Sequence, residues 1–227
     1  MKVSYVDHMG TDLLVANAAR RSFGTGFETW SDEPRSERGR SDRQLVFDLA
    51  KDGHLLPFRH PHLIIECDAP IPVARQLGKH QVGLDWSEIS RRYKVKGITF
   101  YRIGNQWRAD VKDRRQGSGE LLPAETQQKL SALEENVIST CICAYEEALA
   151  LGAAPEQARF FLPQSMEVFW TWTGSLLAFA HLYKQRSHPD TQKETREFAQ
   201  QVGDIAFKRF PVAWAALIAD GTDHGQA

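Results

Sequence analysis

The sequence predicts an α+β fold in which a small mixed or antiparallel sheet precedes a helical C-terminal half. Apolar and polar residues alternate over residues 62–68, as in a strand with one buried face. After Pro123, apolar residues recur every three or four positions, as in amphipathic helices. No segment rich in glycine, serine and proline separates the two halves, so we expect a single domain over residues 1–227.

The N-terminal part is expected to contain two helices around a long loop. Residues 11–22 have the pattern of a short helix, and residues 24–40 are rich in glycine, serine, proline and charge, as is typical of a loop. A second helix is predicted to begin at Ser41, because Ser41 and Gln44 suit a capping box, and to end at Gly53.

The middle of the chain is expected to supply the sheet. The alternating residues 62–68 predict one strand, and the spacing of apolar residues over residues 98–111 favours one or two more. Residues 114–119 are then predicted to form an exposed loop.

Four helices are predicted for the C-terminal half. The first follows Pro123 and ends at Gly152, and a short one covers residues 155–162. Two longer apolar helices are expected, from about residue 165 to residue 185 and from about residue 190 to residue 210.

Composition and charge argue against several classes of protein. The 227 residues are 42% apolar and 25% charged, which is ordinary for a globular protein, and the net charge of −1 argues against a nucleic-acid-binding surface. No apolar run approaches the roughly eighteen residues of a membrane-spanning helix, and the start has no apolar signal core. We therefore expect no membrane partner and a cytoplasmic location, in a host cytoplasm if the sequence is phage-borne.

The three cysteines predict neither a metal site nor a nucleophile. Cys67, Cys141 and Cys143 have no zinc-binding spacing and leave an odd thiol under any pairing. Buried, inert thiols in a reducing compartment are the favoured interpretation.

Residues 75–93, RQLGKHQVGLDWSEISRRY, contain an unusual mixture of hydrogen-bond donors and acceptors. Folding cannot bury so many polar groups unless they pair with one another or hold a ligand. The segment also lacks the sustained Lys/Glu pairs four residues apart that are usual on surface helices. A polar ligand site and a solvated face both remain possible on composition alone.

The order of these residues resembles the signature of the flavin-dependent thymidylate synthases, the ThyX family, which reads roughly R-Q-x-x-R-H-R, seven residues, then S-x-R-Y. Lys79 and Gln81 stand where the family has arginines, and eight residues separate Gln81 from Ser90. Lys79 keeps the positive charge without the planar fork of donors, whereas Gln81 loses the charge. The matching residues are Arg75, Gln76, His80, Glu88, Ser90, Arg92 and Tyr93.

Further blocks resemble the same family in the same order. They are residues 18–23 (AARRSF), residues 53–60 (GHLLPFRH), and residues 158–163 (ARFFLP) followed by Arg186 and residues 192–196 (QKETR). Residues 171–185 depart from the family's N-A-R-S-L-like segment, so we expect no polar flavin contacts from them. Trp170 and Trp172 are expected to belong to the core rather than to a ligand site.

The resemblance implies a site for deoxyuridylate and a site for FAD. Arginine suits a phosphate because its fork donates two parallel charge-assisted hydrogen bonds, and Arg186 is implied near the uracil ring, where a cation stabilises developing negative charge. The implied substrate residues are Gln76, Lys79, Glu88, Ser90, Arg92, Arg159 and Arg186. The implied flavin residues are Ser22, His54, Lys79, His80, Gln81 and Glu88, and the implied catalytic residues are Arg186 and His54.

The resemblance further implies an activity and an assembly. Deoxyuridylate would be methylated at C5 to thymidylate, with the carbon from 5,10-methylenetetrahydrofolate, hydride from reduced FAD, and NADPH as the reductant of the flavin. The family is homotetrameric, with sites built from several subunits. Two alternatives stay open: a related flavoenzyme that hydroxymethylates deoxyuridylate, and a nucleotide-binding protein without catalysis.

Overall fold

The computed structural model describes residues 1–37, 39–112 and 117–219. Its centre is a four-stranded sheet in the order β1-β2-β4-β3, and every neighbouring pair of strands is antiparallel. The strands are β1 Lys2–Met9, β2 His62–Pro70, β3 Leu84–Glu88 and β4 Glu167–Ser175. The expected α+β fold with a small antiparallel sheet is confirmed.

The helices of the described residues pack around this sheet. They are α1 Asp12–Arg20, α2 Asp42–Lys51, α3 Ile71–Leu77, α4 Ala124–Ala150, α5 Pro155–Ala158, α6 Leu176–Arg186, α7 Lys193–Arg209 and α8 Pro211–Ile218. None of these helices is both long enough and apolar enough to cross a membrane.

Local sequence signals place several helix ends correctly. The Ser41 hydroxyl accepts a hydrogen bond from the Gln44 N–H at 3.1 Å, as the predicted cap requires, and α2 ends just before Gly53. The helix predicted after Pro123 is α4, and Gly152 follows it with a φ of 87°, the left-handed conformation that glycine tolerates.

The single helix predicted for residues 165–185 is wrong. Residues 167–175 form β4, the strand between β2 and β3, and the helix begins only at Leu176, where Ser175 caps it by accepting a hydrogen bond from the Ala178 N–H at 3.3 Å. Burial alternates along β4 because its side chains point to opposite faces of the sheet. An apolar run of this length suits a buried strand and a buried helix equally, so periodicity did not separate them.

The strands predicted at residues 98–111 are also wrong. The described part of this segment is mostly irregular, with isolated bridges from Phe100 to Met166 and from Arg108 to Leu121. Residues 114–116 of the loop predicted at residues 114–119 lie outside the described residues. Residues 117–119 are irregular.

Besides β4, the described residues contain four strands and helices that the sequence patterns did not predict: β1, β3, α3 and α8. The most C-terminal of them, α8, begins where the Asp12 carboxylate accepts hydrogen bonds from the Val212 and Ala213 N–H groups at 3.0 and 2.8 Å. A capping residue two hundred positions away leaves no local sequence signal.

Aromatic packing against the sheet forms the core. Trp172 is fully buried and meets Phe179 of α6 edge to face, and Trp170 stacks on Phe198 of α7. Trp86 of β3 stacks on Trp170 with ring centroids 4.0 Å apart, which joins the edge strand to the core. Trp170 and Trp172 are therefore core residues, as expected, although they lie on a strand.

The cysteines are free thiols in different surroundings. Cys67 is buried on β2, and burial raises the pKa of its thiol far above the ordinary range, which makes it inert as expected. Cys143 on α4 is exposed and Cys141 is partly exposed, so the expectation that all three are buried is wrong. Within the described residues, no group of His, Cys, Asp and Glu side chains could hold a metal ion.

Candidate active site

The signature segment runs from a helix to the edge of the sheet. It passes through α3, turns at residues 78–83, and continues as β3 beside β4. Gly83 has a φ of 73°, and its carbonyl accepts a hydrogen bond from the Ser175 N–H at 3.2 Å. The turn is thereby attached to the end of β4.

Much of the signature segment lines one cavity of about 1120 Å³, which we call the signature cavity. His80, Gln81, Glu88 and Ser90 line it, and Arg159 faces them from the 3₁₀ turn that follows α5. Its lining comprises Ile71, Ala74, Arg75, Gly78, His80, Gln81, Leu84, Trp86, Glu88, Ile89, Ser90, Arg91, Arg159, Phe160, Leu162, Gln164, Met166 and Val168. Residues about seventy positions apart therefore line one cavity within a single chain, whereas the resemblance led us to expect these blocks to converge only between subunits.

Arg92 lies beside the signature cavity rather than in its lining. Its Nε is 3.3 Å from Oε2 of Glu156, and Nε of Arg159 donates to the Glu156 carbonyl at 3.2 Å. The two arginines expected near phosphate thus meet at the same short helix, and both side chains are exposed. The signature's other arginine, Arg91, is buried and donates to the carbonyls of residues 94 and 96, which indicates a structural role.

Arg186 reaches the signature segment from the last turn of α6. Its Nε donates to Nε2 of His80 at 2.8 Å, and its Nη2 donates to the Gln76 carbonyl at 3.3 Å. Burial, together with the positive charge of Arg186, lowers the pKa of His80 from its ordinary value. The structure therefore joins two residues from different motifs that sequence reasoning had assigned to different ligands.

Gln76 uses its side-chain amide within the protein. Its Nε2 donates to Oε1 of Gln192 at 2.5 Å, and its Oε1 accepts from the Thr195 hydroxyl at 3.1 Å. Gln192 directly precedes α7, so this contact fixes α3 against the start of that helix. These contacts give Gln192 and Thr195 of the matched motif at residues 192–196 a structural role. Contact of Gln76 with a substrate stays a prediction.

A buried ion pair next to this contact was missed by sequence reasoning. Nη2 of Arg108 is 2.9 Å from Oε1 of Glu194, and both side chains are largely buried. Burial alone would raise the pKa of Glu194, but hydrogen bonds from its own backbone N–H and from Gln192, together with Arg108, outweigh burial and lower it. Glu194 lies in the matched motif at residues 192–196, and this was the available sequence signal. No sequence pattern near either residue indicated that Arg108 would be its partner.

A second cavity, of about 970 Å³, lies on the other side of the turn; we call it the histidine cavity. Ser22 and His54, both predicted to meet flavin, line it. Its other described polar lining residues are Arg20, Arg40, Arg59, His60, His181 and Ser175. Burial, with the charge of Lys184, lowers the pKa of His181.

The predicted flavin residues do not all meet in one cavity of a single chain. His80 and Gln81 line the signature cavity, whereas Val82 and Gly83, the next two residues, line the histidine cavity. Residues 81–83 therefore form the wall between the two cavities. Lys79 is exposed and lies outside the described linings of both.

Gly174, within the segment at residues 171–185, is required for a steric reason. A Cβ at Gly174 would lie 2.4 Å from the Gly83 carbonyl oxygen and 2.4 Å from Cδ2 of Leu84. The backbone of β4 thus approaches the dividing wall more closely than a side chain would permit.

The donors of the histidine cavity fit an anionic dinucleotide such as FAD. Its described lining contains three arginines and three histidines and no carboxylate. Nη1 of Arg20 is buried without a hydrogen-bond partner among the described residues, while Nη2 is paired with Asp42. Cationic donors of this kind suit a diphosphate.

Comparisons with known proteins identify the protein family that shares these motifs and this fold. The family described as thymidylate synthase complementing protein matches residues 4–212. A flavin-dependent thymidylate synthase of Thermus thermophilus is 34% identical over 216 residues, which are 95% of this chain and 74% of that protein. The enzyme of the same name from Thermosipho africanus is 30% identical over 94% of this chain and 89% of its own.

Solved structures agree with the sequence matches. A crystal structure of the UMP/dUMP methylase PolB from Streptomyces cacaoi bound with 5-Br dUMP has a TM-score of 0.81 at 26% identity, over 97% of this chain and 95% of that one. A second structure of PolB, bound with 5-Br UMP, has a TM-score of 0.83. The chain belongs to the flavin-dependent thymidylate synthase family, so it is a flavoprotein and a methyltransferase. The family resemblance of the signature segment is confirmed.

Proposed function

We propose that this enzyme, as one domain in the cytoplasm, converts deoxyuridylate to thymidylate, with 5,10-methylenetetrahydrofolate as carbon donor and NADPH as reductant. The name shared by its relatives and the 5-Br dUMP bound to PolB support this substrate. When bound, FAD supplies the hydride transfer of the reaction. The protein's own task is to hold the pyrimidine in place and polarise it.

The observation that carries the proposal is the meeting of Arg159 with Ser90 and Glu88 in the signature cavity. A nucleotide phosphate needs cationic and hydroxyl donors, and Arg159 and Ser90 supply both kinds within one cavity. Arg92 can join them if a phosphate replaces the Glu156 carboxylate as its partner. We assign the phosphate to this end of the cavity.

Arg186 would lie beside the uracil ring. Its guanidinium is oriented by two hydrogen bonds, to His80 and to the Gln76 carbonyl. A fixed cation stabilises negative charge that develops on the ring during attack by the carbon donor, without reorganising at that moment. We therefore assign catalysis chiefly to Arg186, with His54 at the flavin.

Ser22 and His54 would hold the flavin in the histidine cavity, and His80, Gln81, Glu88 and Lys79 would reach it from another subunit. The split of these residues between two cavities supports a site shared between chains.

Exposed apolar side chains on α4, including Leu133 at 59% and Val137 at 53% exposure, also support an oligomer. We propose a homotetramer. Light scattering should give the mass of about four chains, and a monomer with full turnover would contradict this.

The decisive experiment is an anaerobic reaction of the purified enzyme with deoxyuridylate, 5,10-methylenetetrahydrofolate, FAD and NADPH. Mass spectrometry should detect thymidylate. A hydroxymethyl product would support the first alternative enzyme instead. Protein that binds deoxyuridylate, retains no flavin and yields no product would be a nucleotide-binding homologue.

One observation favours a second substrate. The structural relative PolB is described as a UMP/dUMP methylase and was solved with a uridylate analogue as well. Parallel reactions with uridylate and deoxyuridylate should show whether this enzyme also accepts a 2′-hydroxyl. We expect kcat/KM to favour deoxyuridylate, because the curated relatives are thymidylate synthases.

A further inference from the structure

The hydrogen bond between Arg186 and His80 requires one protonation state of the histidine. Nε of Arg186 donates to Nε2 of His80 at 2.8 Å. A guanidinium is always charged and only donates, so Nε2 must present a lone pair. His80 is therefore neutral, with its proton on Nδ1.

Two contacts together fix the direction of the Arg186 guanidinium. Besides His80, the backbone carbonyl of Gln76 accepts from Nη2 at 3.3 Å. The Gln76 side chain is itself held by Gln192 and by Thr195, a fully buried residue. The Gln76 side chain is thus anchored by two bonds that do not titrate, whereas the bond that Arg186 donates to His80 is lost when the imidazole is protonated.

We propose that neutral His80 is a positioning residue that orients Arg186 toward the pyrimidine, and that protonation of His80 releases Arg186. An imidazolium offers no lone pair to Nε and repels the guanidinium. Arg186 meets His80 from α6 and lies outside the described lining of the signature cavity; the charged residues that line this cavity together with His80 are Arg75, Glu88, Arg91 and Arg159. This inference rests on the proposed binding of deoxyuridylate to the same cavity.

Two variants separate the hydrogen-bond acceptor from the proton. In His80→Gln, the side-chain carbonyl oxygen can take the place of Nε2 and cannot be protonated. In His80→Leu, the acceptor is lost. His188→Gln is the matched control, because His188 is an exposed histidine two residues after Arg186 and outside the described linings of both cavities.

The measurement is calorimetric titration of the flavin-free protein with deoxyuridylate, from about pH 8 to about pH 5. Folding is first checked by circular dichroism. At the upper pH, wild type and the control should bind alike, and His80→Leu should bind about tenfold more weakly than His80→Gln, as for the loss of one charge-assisted hydrogen bond. In turnover by the complete enzyme, His80→Leu should lower kcat more than it raises KM.

The pH dependence of deoxyuridylate affinity distinguishes a His80 that positions Arg186 from a His80 that only contacts the ligand. Because the neutral form is required, the affinity of wild type should fall relative to His80→Gln as the pH falls through the lowered pKa of His80. Titration of the nucleotide phosphate affects both proteins equally and cancels in the ratio. This comparison stands even if His80→Leu does not fold.

Parallel pH curves for wild type and His80→Gln would overturn the positioning role, and so would a folded His80→Leu that binds deoxyuridylate like wild type. A folded wild-type protein that binds no deoxyuridylate at any pH would instead overturn the proposed function together with this inference.

Discussion

Arg20 in the histidine cavity and Arg92 beside the signature cavity are each paired with a carboxylate, but the two pairs differ in burial. The Asp42 side chain, which holds Arg20, is 0% exposed, whereas the Glu156 side chain, which holds Arg92, is 55% exposed. A buried carboxylate cannot give up its partner without leaving an unpaired charge, which costs several kcal/mol. An exposed pair costs little to exchange, so the proposed transfer of Arg92 from Glu156 to a phosphate is expected to be inexpensive.

Asp42 also organises described residues of the loop between α1 and α2. Its carboxylate accepts from the Ser31 N–H at 2.7 Å and from Arg35, whose guanidinium lies over the Phe27 ring. Phe27 is attached to α1 by two hydrogen bonds with Asn17. One cavity is therefore bounded by a fixed network, and the other by side chains that can change partner.

The largest effect is expected for Asp42→Asn. The variant keeps the size of the side chain but leaves Arg20 and Arg35 without their charged partner, so the free energy of unfolding should fall by about 3 kcal/mol. Urea denaturation measures this change. Asp32→Asn is the control, because Asp32 pairs with Arg43 at the surface, and it should cost less than about 1 kcal/mol. Equal losses would show that burial does not distinguish the pairs.

The same carboxylate predicts an acid transition. Burial alone would raise the pKa of Asp42, but hydrogen bonds from Arg35, the Ser31 N–H and Arg20 outweigh burial and lower it below 3.8. Its contribution to stability is present above that pH and is lost as the pH falls through the lowered pKa. Wild type should therefore lose its advantage over Asp42→Asn only in acid below about pH 4.

A large effect on turnover is expected for Arg186→Lys. The lysine keeps the charge but loses the planar fork that contacts His80 and the Gln76 carbonyl. Loss of about 1.5–3 kcal/mol corresponds to a ten- to hundredfold fall in deoxyuridylate turnover. Flavin reduction by NADPH without nucleotide should change much less. Arg102→Lys, which alters an exposed pair with Glu135, is the control; an equally active Arg186→Lys would remove Arg186 from the site.

Gly174→Ala tests the wall between the cavities. The added Cβ would collide with the Gly83 carbonyl, so the wall must shift and stability should fall by about 1–3 kcal/mol. Binding of both flavin and deoxyuridylate should weaken, as separate titrations would show. In the control Gly26→Ala, the nearest neighbour of the added atom is 3.8 Å away, so neither ligand should be affected. If Gly174→Ala weakens only one ligand, residues 81–83 do not serve both cavities.

The smallest effect is expected for Glu156→Gln. Removing the carboxylate frees Arg92, so deoxyuridylate should bind up to about fivefold more tightly, in keeping with the strength of an exposed ion pair. The gain should shrink in high salt, since salt screens exposed charges. Glu146→Gln, an exposed substitution on α4, is the control. Weaker binding would mean that Glu156 orients Arg92 for the phosphate instead of competing with it.

Much of the fold followed from local signals. The cap at Ser41, the alternation over β2 and the glycine after α4 each involve residues a few positions apart, and each predicted its element correctly. The failures occurred where distant contacts decide. Residues 167–175 are a strand because β2 and β3 lie on either side of them, and no pattern within those residues states that.

By itself, the sequence determined the family, the α+β class and the residue types of the candidate site, because motif order and local periodicity are properties of the chain. Only the tertiary structure decided that His54 and His80 face different cavities, and that Arg186 meets His80. The last contact joins residues 106 positions apart. It exists because β4 is attached to the turn at Gly83 and α6 leads from β4 back to the signature, an arrangement set by packing rather than by spacing in the sequence.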